Sequence, residues 1–362
     1  MNSDPTPLPP SGGPGDTPRP KRRERYSGRN PRKFSEKYKE HAPERYGGDV
    51  AKVLASGKTP AGMHRPILVR EILEVLQLMP GAAVVDCTLG YGGHTRELLQ
   101  AVAPGGRVLG LDVDPIEQPR TVERLRAAGF GPDVFVPVRR NFAGLPQVLA
   151  EQGIEGVDGL LADLGVSSMQ LDDPVRGFTF KEDGPLDLRL NPNKPPSAAE
   201  WLARATIDEL ANTLSENADE PDATLLASAI VVAGQREPIT RTGRLTQVIR
   251  EALRSTGRRG DRDVENACIR RVFQALRIEV NDEFGVLESL LRSLPFCLKP
   301  GGRAAILTFH SGEDRRVKKA FQEGLRSGVY ASIAEDVIRP GTEELRANPR
   351  SAPAKLRWAV RA

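Results

Sequence analysis

The chain has 362 residues, of which 39% are hydrophobic and only 5% aromatic, and it can bury one large core or one core with a smaller inserted domain. No window approaches the roughly 18 continuous apolar residues of a membrane span, so we expect a soluble protein. Its three cysteines (Cys87, Cys268 and Cys297) and four histidines have neither disulfide nor metal-site spacing. The composition therefore predicts a reducing compartment, no metal and no membrane partner.

The net charge of +4 is concentrated near the N-terminus. Residues 1–62 contain 13 lysines and arginines against 7 acidic residues, whereas the rest of the chain contains 39 against 41. This segment is also rich in proline and glycine, a composition that cannot bury enough apolar surface to fold alone. We interpret residues 1–62 as a disordered basic tail, which is either simply solvated or an arm that binds phosphates.

From residue 64 onwards, short apolar runs alternate with amphipathic stretches. Residues 67–79 predict a helix. Four strands are then predicted, at residues 82–88, 107–114, 133–142 and 157–165, with helices between them at 94–102, 121–130 and 146–153. This alternation is typical of a parallel sheet with right-handed crossovers.

The alternation stops after the fourth strand and resumes near the C-terminus. Residues 172–285 contain helical patterns and loops without a convincing buried strand. A helix at 286–298, a KPGG turn and a strand at 303–311 then return to the earlier pattern. We therefore predict an open, mostly parallel α/β sheet formed by residues 63–171 and 286–362, with an inserted helical domain at residues 172–285.

A glycine-rich turn, GYGGHT at residues 90–95, follows the first predicted strand. A dinucleotide fingerprint requires glycine where Thr95 stands, and a P-loop requires a lysine that is missing here. Asp112, at the end of the second strand, has the position of an acid that binds a ribose diol. Such an acid serves a nicotinamide dinucleotide as readily as S-adenosylmethionine, but the missing third glycine favours S-adenosylmethionine.

Several long and unusual sequence strings run along the chain, from HRPILVREIL at 64–73 to NPRSAPAKLR at 348–357. Between them lie DCTLGYGGH, GLDVDP, DLGVSSMQLDDPVRGFTF, VFQALRIEVNDE and FHSGEDRRVKK. In content and order these strings resemble those of the MraW/RsmH-type ribosomal RNA small-subunit methyltransferases, which modify N4 of a cytidine. The resemblance implies a Rossmann-like methyltransferase sheet and a cytidine substrate in the decoding region of 16S ribosomal RNA.

Carried over by position, the resemblance implies that a set of turn and strand-end residues binds S-adenosylmethionine: Gly92, Gly93, His94, Asp112, Phe142, Asp163 and Gln170. Asp163 is also the candidate acceptor of an N4 hydrogen, or it serves the cofactor alone; the residues leave both open. His310 either orients the base or is satisfied by Glu313 or Asp314.

A polar stripe runs along the predicted helix at residues 269–284 and contains Arg270, Gln274, Arg277 and Asn281. Such stripes are commonly just solvated. The resemblance implies that this one lines an RNA cleft, with Arg176 and Phe178 opposite it, because guanidinium groups and aromatic rings recognise single RNA bases.

Two other functions compete with a methyltransferase that acts on ribosomal RNA or on a partly assembled small subunit. One is a nicotinamide-dependent oxidoreductase, and the other is an RNA-binding assembly factor without catalysis. The resemblance implies that the protein is located in the bacterial cytoplasm, with an organelle as the alternative location. The sequence departs from the family at Gly312, where the usual HSLED motif has leucine, and at residues 217–220, where YGEE is usual.

Overall fold

The computed structural model describes residues 66–255 and 261–362, so the predicted basic tail at residues 1–62 lies outside the described residues. Within these ranges, seven strands form one sheet in the order β3-β2-β1-β4-β5-β7-β6. Strands β1 to β5 are parallel, and β7 is antiparallel to both β5 and β6. The strands are Ala83–Asp86 (β1), Arg107–Asp112 (β2), Phe135–Arg139 (β3), Val157–Asp163 (β4), Leu298–Thr308 (β5), Tyr330–Ile333 (β6) and Lys355–Arg361 (β7).

Helices cover both faces of this sheet and fill the long connection between β4 and β5. The first four are Val69–Leu76 (α1), Gly93–Ala101 (α2), Glu117–Ala127 (α3) and Leu145–Glu151 (α4). The connection contains Ser168–Asp172 (α5), Ala198–Leu202 (α6), Ile207–Ala218 (α7), Ala223–Arg236 (α8), Thr242–Ser255 (α9), Arg262–Asn281 (α10) and Glu283–Cys297 (α11). Ser311–Arg326 (α12) and Thr342–Ala347 (α13) follow β5. None of the helices in the described ranges has the length and apolarity needed to cross a bilayer.

The predicted α/β alternation is confirmed, with one correction in β5. The KPGG sequence is not a turn before the strand but lies inside β5. Between the pairs Val157–Leu298 and Gly159–Arg303, β4 advances by two residues while β5 advances by five. The extra residues form a bulge, where Gly301 adopts a φ of +76° that favours glycine.

In the part of the chain that the structure describes, the buried apolar residues form three clusters, two against the sheet and one within the helical connection. Val84 and Val85 point to opposite faces of β1 and belong to different sheet clusters, as the two-residue period of a strand requires. The third cluster contains buried residues from Phe178 to Leu276 and is built by α6 to α10 and the loop before them. The helical connection therefore has a core of its own.

Polar contacts join the helical connection to the sheet region. Asp219, just after α7, accepts hydrogen bonds from Ser311 Oγ at 3.0 Å and from Arg315 Nη2 at 3.1 Å, both in α12. At the other end of the connection, Arg277 of α10 forms a bidentate pair with Glu283 of α11. These contacts join α7 to α12 and α10 to α11, and α11 packs against the sheet.

Candidate active site

A cavity of about 580 Å³ opens at the carboxyl ends of the parallel strands, where open α/β sheets bind ligands. Strands β1, β2 and β4 each end in an aspartate, namely Asp86, Asp112 and Asp163. The cavity is lined by all of the predicted site residues except Gly92 and Arg176: Gly93, His94, Asp112, Phe142, Asp163, Gln170, Phe178, Arg270, Arg277 and His310. The fold thus brings the two predicted groups, for cofactor and for substrate, into one space.

Asp112 is held by the glycine-rich turn and by its own loop. Its Oδ2 accepts a hydrogen bond from the Gly90 amide at 2.7 Å, and its Oδ1 accepts one from the Asp114 amide at 2.9 Å. Burial raises the pKa of Asp112 to about 6, although these amides oppose the rise. Each carboxylate oxygen retains acceptor capacity, which suits a ligand with two neighbouring hydroxyls.

Gly92 is required by packing rather than by the cavity. Its φ is +78°, and a Cβ atom built there would lie 2.8 Å from Thr121 Cγ2 of α3. Thr121 in turn donates a hydrogen bond to the Gly90 carbonyl at 2.6 Å. Gly92 therefore lets the turn approach α3, while its neighbours Gly90 and Gly93 line the cavity.

Asp86 is a structural residue of the same turn. It is buried and accepts hydrogen bonds from the Thr88 amide and hydroxyl and from Thr95 Oγ1, the last at 2.6 Å. Thr88 Oγ1 accepts a hydrogen bond from the Asp163 amide at 2.7 Å. This chain of contacts couples the glycine-rich turn to the end of β4.

Asp163 faces the cavity with one oxygen unpaired. Its Oδ2 lies 3.4 Å from His94 Nδ1, whereas Oδ1 is buried and has no hydrogen-bond partner among the described residues. Burial raises the pKa of Asp163 to about 6, and His94 opposes this rise. An unpaired buried acceptor is costly unless a ligand satisfies it, so Oδ1 marks a position where a donor binds.

Gln170 and Arg176 meet at a buried acid that sequence reasoning missed. The side chain of Asp114 accepts hydrogen bonds from Gln170 Nε2 at 2.9 Å and from Arg176 Nη1 at 2.7 Å. Arg176 also donates to the carbonyls of Arg189 and Leu190. Arg176 is thus buried, and its guanidinium is hydrogen-bonded within the protein. It does not line the cavity, where it was expected to lie opposite the polar stripe.

The polar stripe of α10 does face the cavity. Arg270, Gln274, Arg277 and Asn281 all line it, with Arg270 exposed. Asn281 holds the facing loop, because its side chain accepts from the Leu190 amide and donates to the Leu188 carbonyl, each at 2.7 Å. Phe180 and Phe273 meet edge to face beneath the stripe, with centroids 5.9 Å apart. This wall of the cavity therefore combines aromatic rings with polar side chains of the stripe.

A second ionisable cluster lies at the start of α12. His310 Nε2 is 3.2 Å from Glu313 Oε1, and His310 Nδ1 has no hydrogen-bond partner in the described chain. Burial alone would raise the pKa of Glu313, but His310 and the Phe309 amide hold it below its usual value. Sequence reasoning named Glu313 only as a partner of His310, and its place in the cavity was missed.

Glu283, His310 and Glu313 offer atoms within 4.8 Å of one another, a spacing open to a metal ion. Both oxygens of Glu283 already accept hydrogen bonds from Arg277, at 2.7 and 2.9 Å. Glu313 Oε2 likewise accepts one from the Phe309 amide. The adjacent guanidinium opposes a bound cation, so this cluster fits a polar organic ligand better than a metal.

The strand order, the antiparallel β7, the glycine turn and the acid at the end of β2 define a Rossmann-like S-adenosylmethionine-dependent methyltransferase. The cavity suits this cofactor, since the carboxylate of Asp112 can accept hydrogen bonds from ribose hydroxyls and the ring of Phe142 lines the same cavity. The chain belongs to the MraW methylase family, which matches residues 61–362.

Curated relatives extend over nearly the whole chain. It is 51% identical over 343 residues to ribosomal RNA small subunit methyltransferase H 1 of Lachnoclostridium phytofermentans, which covers 94% of this chain and 93% of the relative. It is 50% identical over 342 residues to the H 2 protein of Alkaliphilus metalliredigens, with 94% and 97% covered. Among solved structures, an S-adenosylmethionine-dependent O-methyltransferase from Thermotoga maritima matches with 12% identity and a TM-score of 0.37, over 83% of this chain and 67% of that one.

Proposed function

We propose that this protein transfers the methyl group of S-adenosylmethionine to the N4 amine of one cytidine in the decoding region of 16S ribosomal RNA. The relatives named as small-subunit ribosomal RNA methyltransferases, at about half identity over 94% of the chain, support the substrate class. The observation that carries the chemistry is the buried, unpaired Oδ1 of Asp163 in the cavity.

Asp163 is the proposed acceptor for a hydrogen of N4. The N4 lone pair is delocalised into the cytosine ring, so alignment and a hydrogen-bond acceptor both assist its attack on the methyl group. S-adenosylmethionine supplies that methyl group on a sulfonium sulfur. Asp112 and Phe142 are the proposed contacts of its ribose and adenine. Gly93, His94 and Gln170 line the same cavity, and Gln170 is linked to Asp112 through Asp114, which supports their assignment to the cofactor.

The RNA side of the cavity is assigned to α10 and to the start of α12. Arg270 is exposed at the rim, and Phe178 and Phe273 give an apolar surface for a base removed from its stack. Arg277 and His310 lie deeper, near Glu313. A base that leaves its helix to react needs both an apolar slot and polar groups at its edge, and this wall of the cavity offers both.

The natural substrate is proposed to be a partly assembled small subunit in the bacterial cytoplasm. Outside the N-terminal tail the chain carries 39 basic and 41 acidic residues. This part of the chain therefore has no net positive charge with which to attract the phosphates of bare RNA. Ribosomal proteins and folded RNA would supply the remaining recognition.

The test is methylation of small subunits that lack this modification, followed by mass spectrometry of the nucleosides. We expect N4-methylcytidine at one position, formed far faster on subunits than on an isolated stem-loop. A methyl group found on carbon 5 of the cytosine, or on no nucleoside, would overturn the assignment. Equal rates on the two substrates would overturn only the preference for subunits.

A further inference from the structure

The ring of His94 is held by a contact with the backbone of the segment before α1. Its Nε2 lies 2.9 Å from the carbonyl oxygen of Ile67, just before α1, and the residue is buried. A carbonyl oxygen only accepts hydrogen bonds, so Nε2 must carry a hydrogen. The other ring nitrogen, Nδ1, is thereby turned towards Asp163.

His94 Nδ1 lies 3.4 Å from Asp163 Oδ2, and the two atoms attract each other only if one of them carries a proton. In a neutral imidazole with hydrogen on Nε2, Nδ1 has a lone pair, and it would face the lone pairs of a carboxylate. The pair therefore holds one proton, either on His94 with Asp163 ionised or on Asp163 with His94 neutral. Only the first arrangement leaves Asp163 able to accept a proton at its free Oδ1.

The surroundings make His94 decisive for this choice. Burial disfavours the charged form of Asp163, and so do the nearby acids Asp86 of β1 and Glu313 of α12. Among the groups that face Asp163 in the described chain, His94 of α2 alone favours the carboxylate. Without it, every influence on Asp163 would favour a neutral acid.

We propose that His94 is a positioning residue that keeps Asp163 ionised, so that Oδ1 receives the proton released from N4. This inference rests on the function proposed above. As the bond from N4 to the methyl carbon forms, the methyl–sulfur bond breaks and its electron pair stays on sulfur. One N4 proton passes to Oδ1, and His94 keeps its contact with Oδ2. The proton leaves to solvent after product release.

The first test is the pH dependence of kcat for His94→Gln, measured with saturating cofactor and subunits so that titration of Asp112 does not enter. The wild type should lose activity below about pH 6. Loss of a neighbouring positive charge should shift this acidic limb of the pH profile to higher pH by about 1 to 3 units. The variant should therefore be impaired at neutral pH and should recover at alkaline pH. A loss of equal size at every pH would mean a structural role and would overturn the proposal.

His310→Gln is the matched control, because it removes the cavity histidine that pairs with Glu313 rather than with Asp163. The acid limb of its pH profile should not move upwards. In Asp163→Asn, adding His94→Gln should have no further effect on the pH profile, because the group through which it acts is gone. Independent effects of the two substitutions would contradict the proposal.

The second test needs no RNA and so separates this inference from the proposed function. Nitrogen-15 NMR of the ring of His94, one of four histidines in the chain, reports whether Nδ1 is protonated. We expect Nδ1 to hold a proton in the wild type under conditions in which it has lost that proton in Asp163→Asn. The same protonation of Nδ1 in the two proteins would overturn the inference even if methylation of N4 were demonstrated.

Discussion

Arg176 and Asp114 form a buried ion pair, with Nη1 and Oδ2 2.7 Å apart across 62 residues of sequence. Asp114 follows the strand that ends in Asp112, and Arg176 follows the helix that contains Gln170. The pair therefore joins the loop after β2, beside Asp112, to the segment after α5. Gln170 donates to the same carboxylate, so its position depends on this pair as well.

Arg176→Ala should destabilise the protein by about 3–5 kcal/mol, because it leaves Asp114 buried with an uncompensated charge. Urea denaturation measures the loss. Arg270→Ala is the control, since Arg270 is exposed and its removal should leave the free energy of unfolding within about 0.5 kcal/mol of the wild type. Equal stabilities for the two variants would contradict the buried role of Arg176.

Asp112→Ala should weaken the binding of S-adenosylmethionine by roughly 1.5–3 kcal/mol, through loss of charge-assisted hydrogen bonds to the ribose. Since the raised pKa of Asp112 is about 6, the wild-type affinity should be constant above neutral pH and fall as the pH drops below that value. Isothermal titration at several pH values measures both effects. Asp158→Asn, which alters an aspartate paired with Lys299 at the opposite end of β4, should bind normally.

Gly312→Leu should destabilise the start of α12, because a Cβ atom there would lie 2.6 Å from Phe284 Cζ. The ring of Phe284 fills the space and also stacks beneath the guanidinium of Arg316, 3.5 Å from its centroid. We expect a loss of about 1–3 kcal/mol, as for other overpacked sites. Thermal melting of Gly312→Leu combined with Phe284→Ala should show a smaller loss than the two single changes predict; simple additivity would count against this contact.

Deletion of residues 1–62 tests whether the basic tail binds phosphates. If it does, the truncated protein should bind subunits more weakly, and its affinity should depend less steeply on salt between about 50 and 200 mM, because fewer counterions are released. Binding of S-adenosylmethionine should not change. Parallel salt dependences for the two proteins would show that the tail is dispensable for RNA.

The order of strands and helices could be predicted because each element carries its own periodic pattern. Val84 and Val85 are apolar and end at Asp86, and the glycine turn follows at once, so local sequence is enough. The same argument placed Asp112 at the end of the second strand and Asp163 at the end of the fourth. The short edge strand β6 and the antiparallel β7 were not predicted, because only their partners in the sheet distinguish them from loops.

The surroundings of the site residues could not be read locally. Arg176 was predicted to face RNA from the family resemblance and because guanidinium groups recognise RNA bases, but its partner Asp114 is 62 residues away in the sequence. The contact from His94 to the Ile67 carbonyl involves a backbone atom, which no residue pattern reveals. Phe178, Arg270 and Arg277 do line the cavity. For Arg270 and Arg277 this could be predicted, because the helical period of α10 places its polar residues on one side.

The position of the helical connection has a consequence for the order of folding. Strands β4 and β5 are neighbours in the sheet, yet residues 164–297 separate them in the chain. A long unfolded loop makes such a pairing slow, because its closure entropy is lost before the strands gain contacts. A connection that first condenses around its own apolar cluster brings its two ends close together. We expect the folded helical segment to hold the ends of β4 and β5 close together, as a short loop would. The two strands would then pair last and complete the sheet beside the cavity.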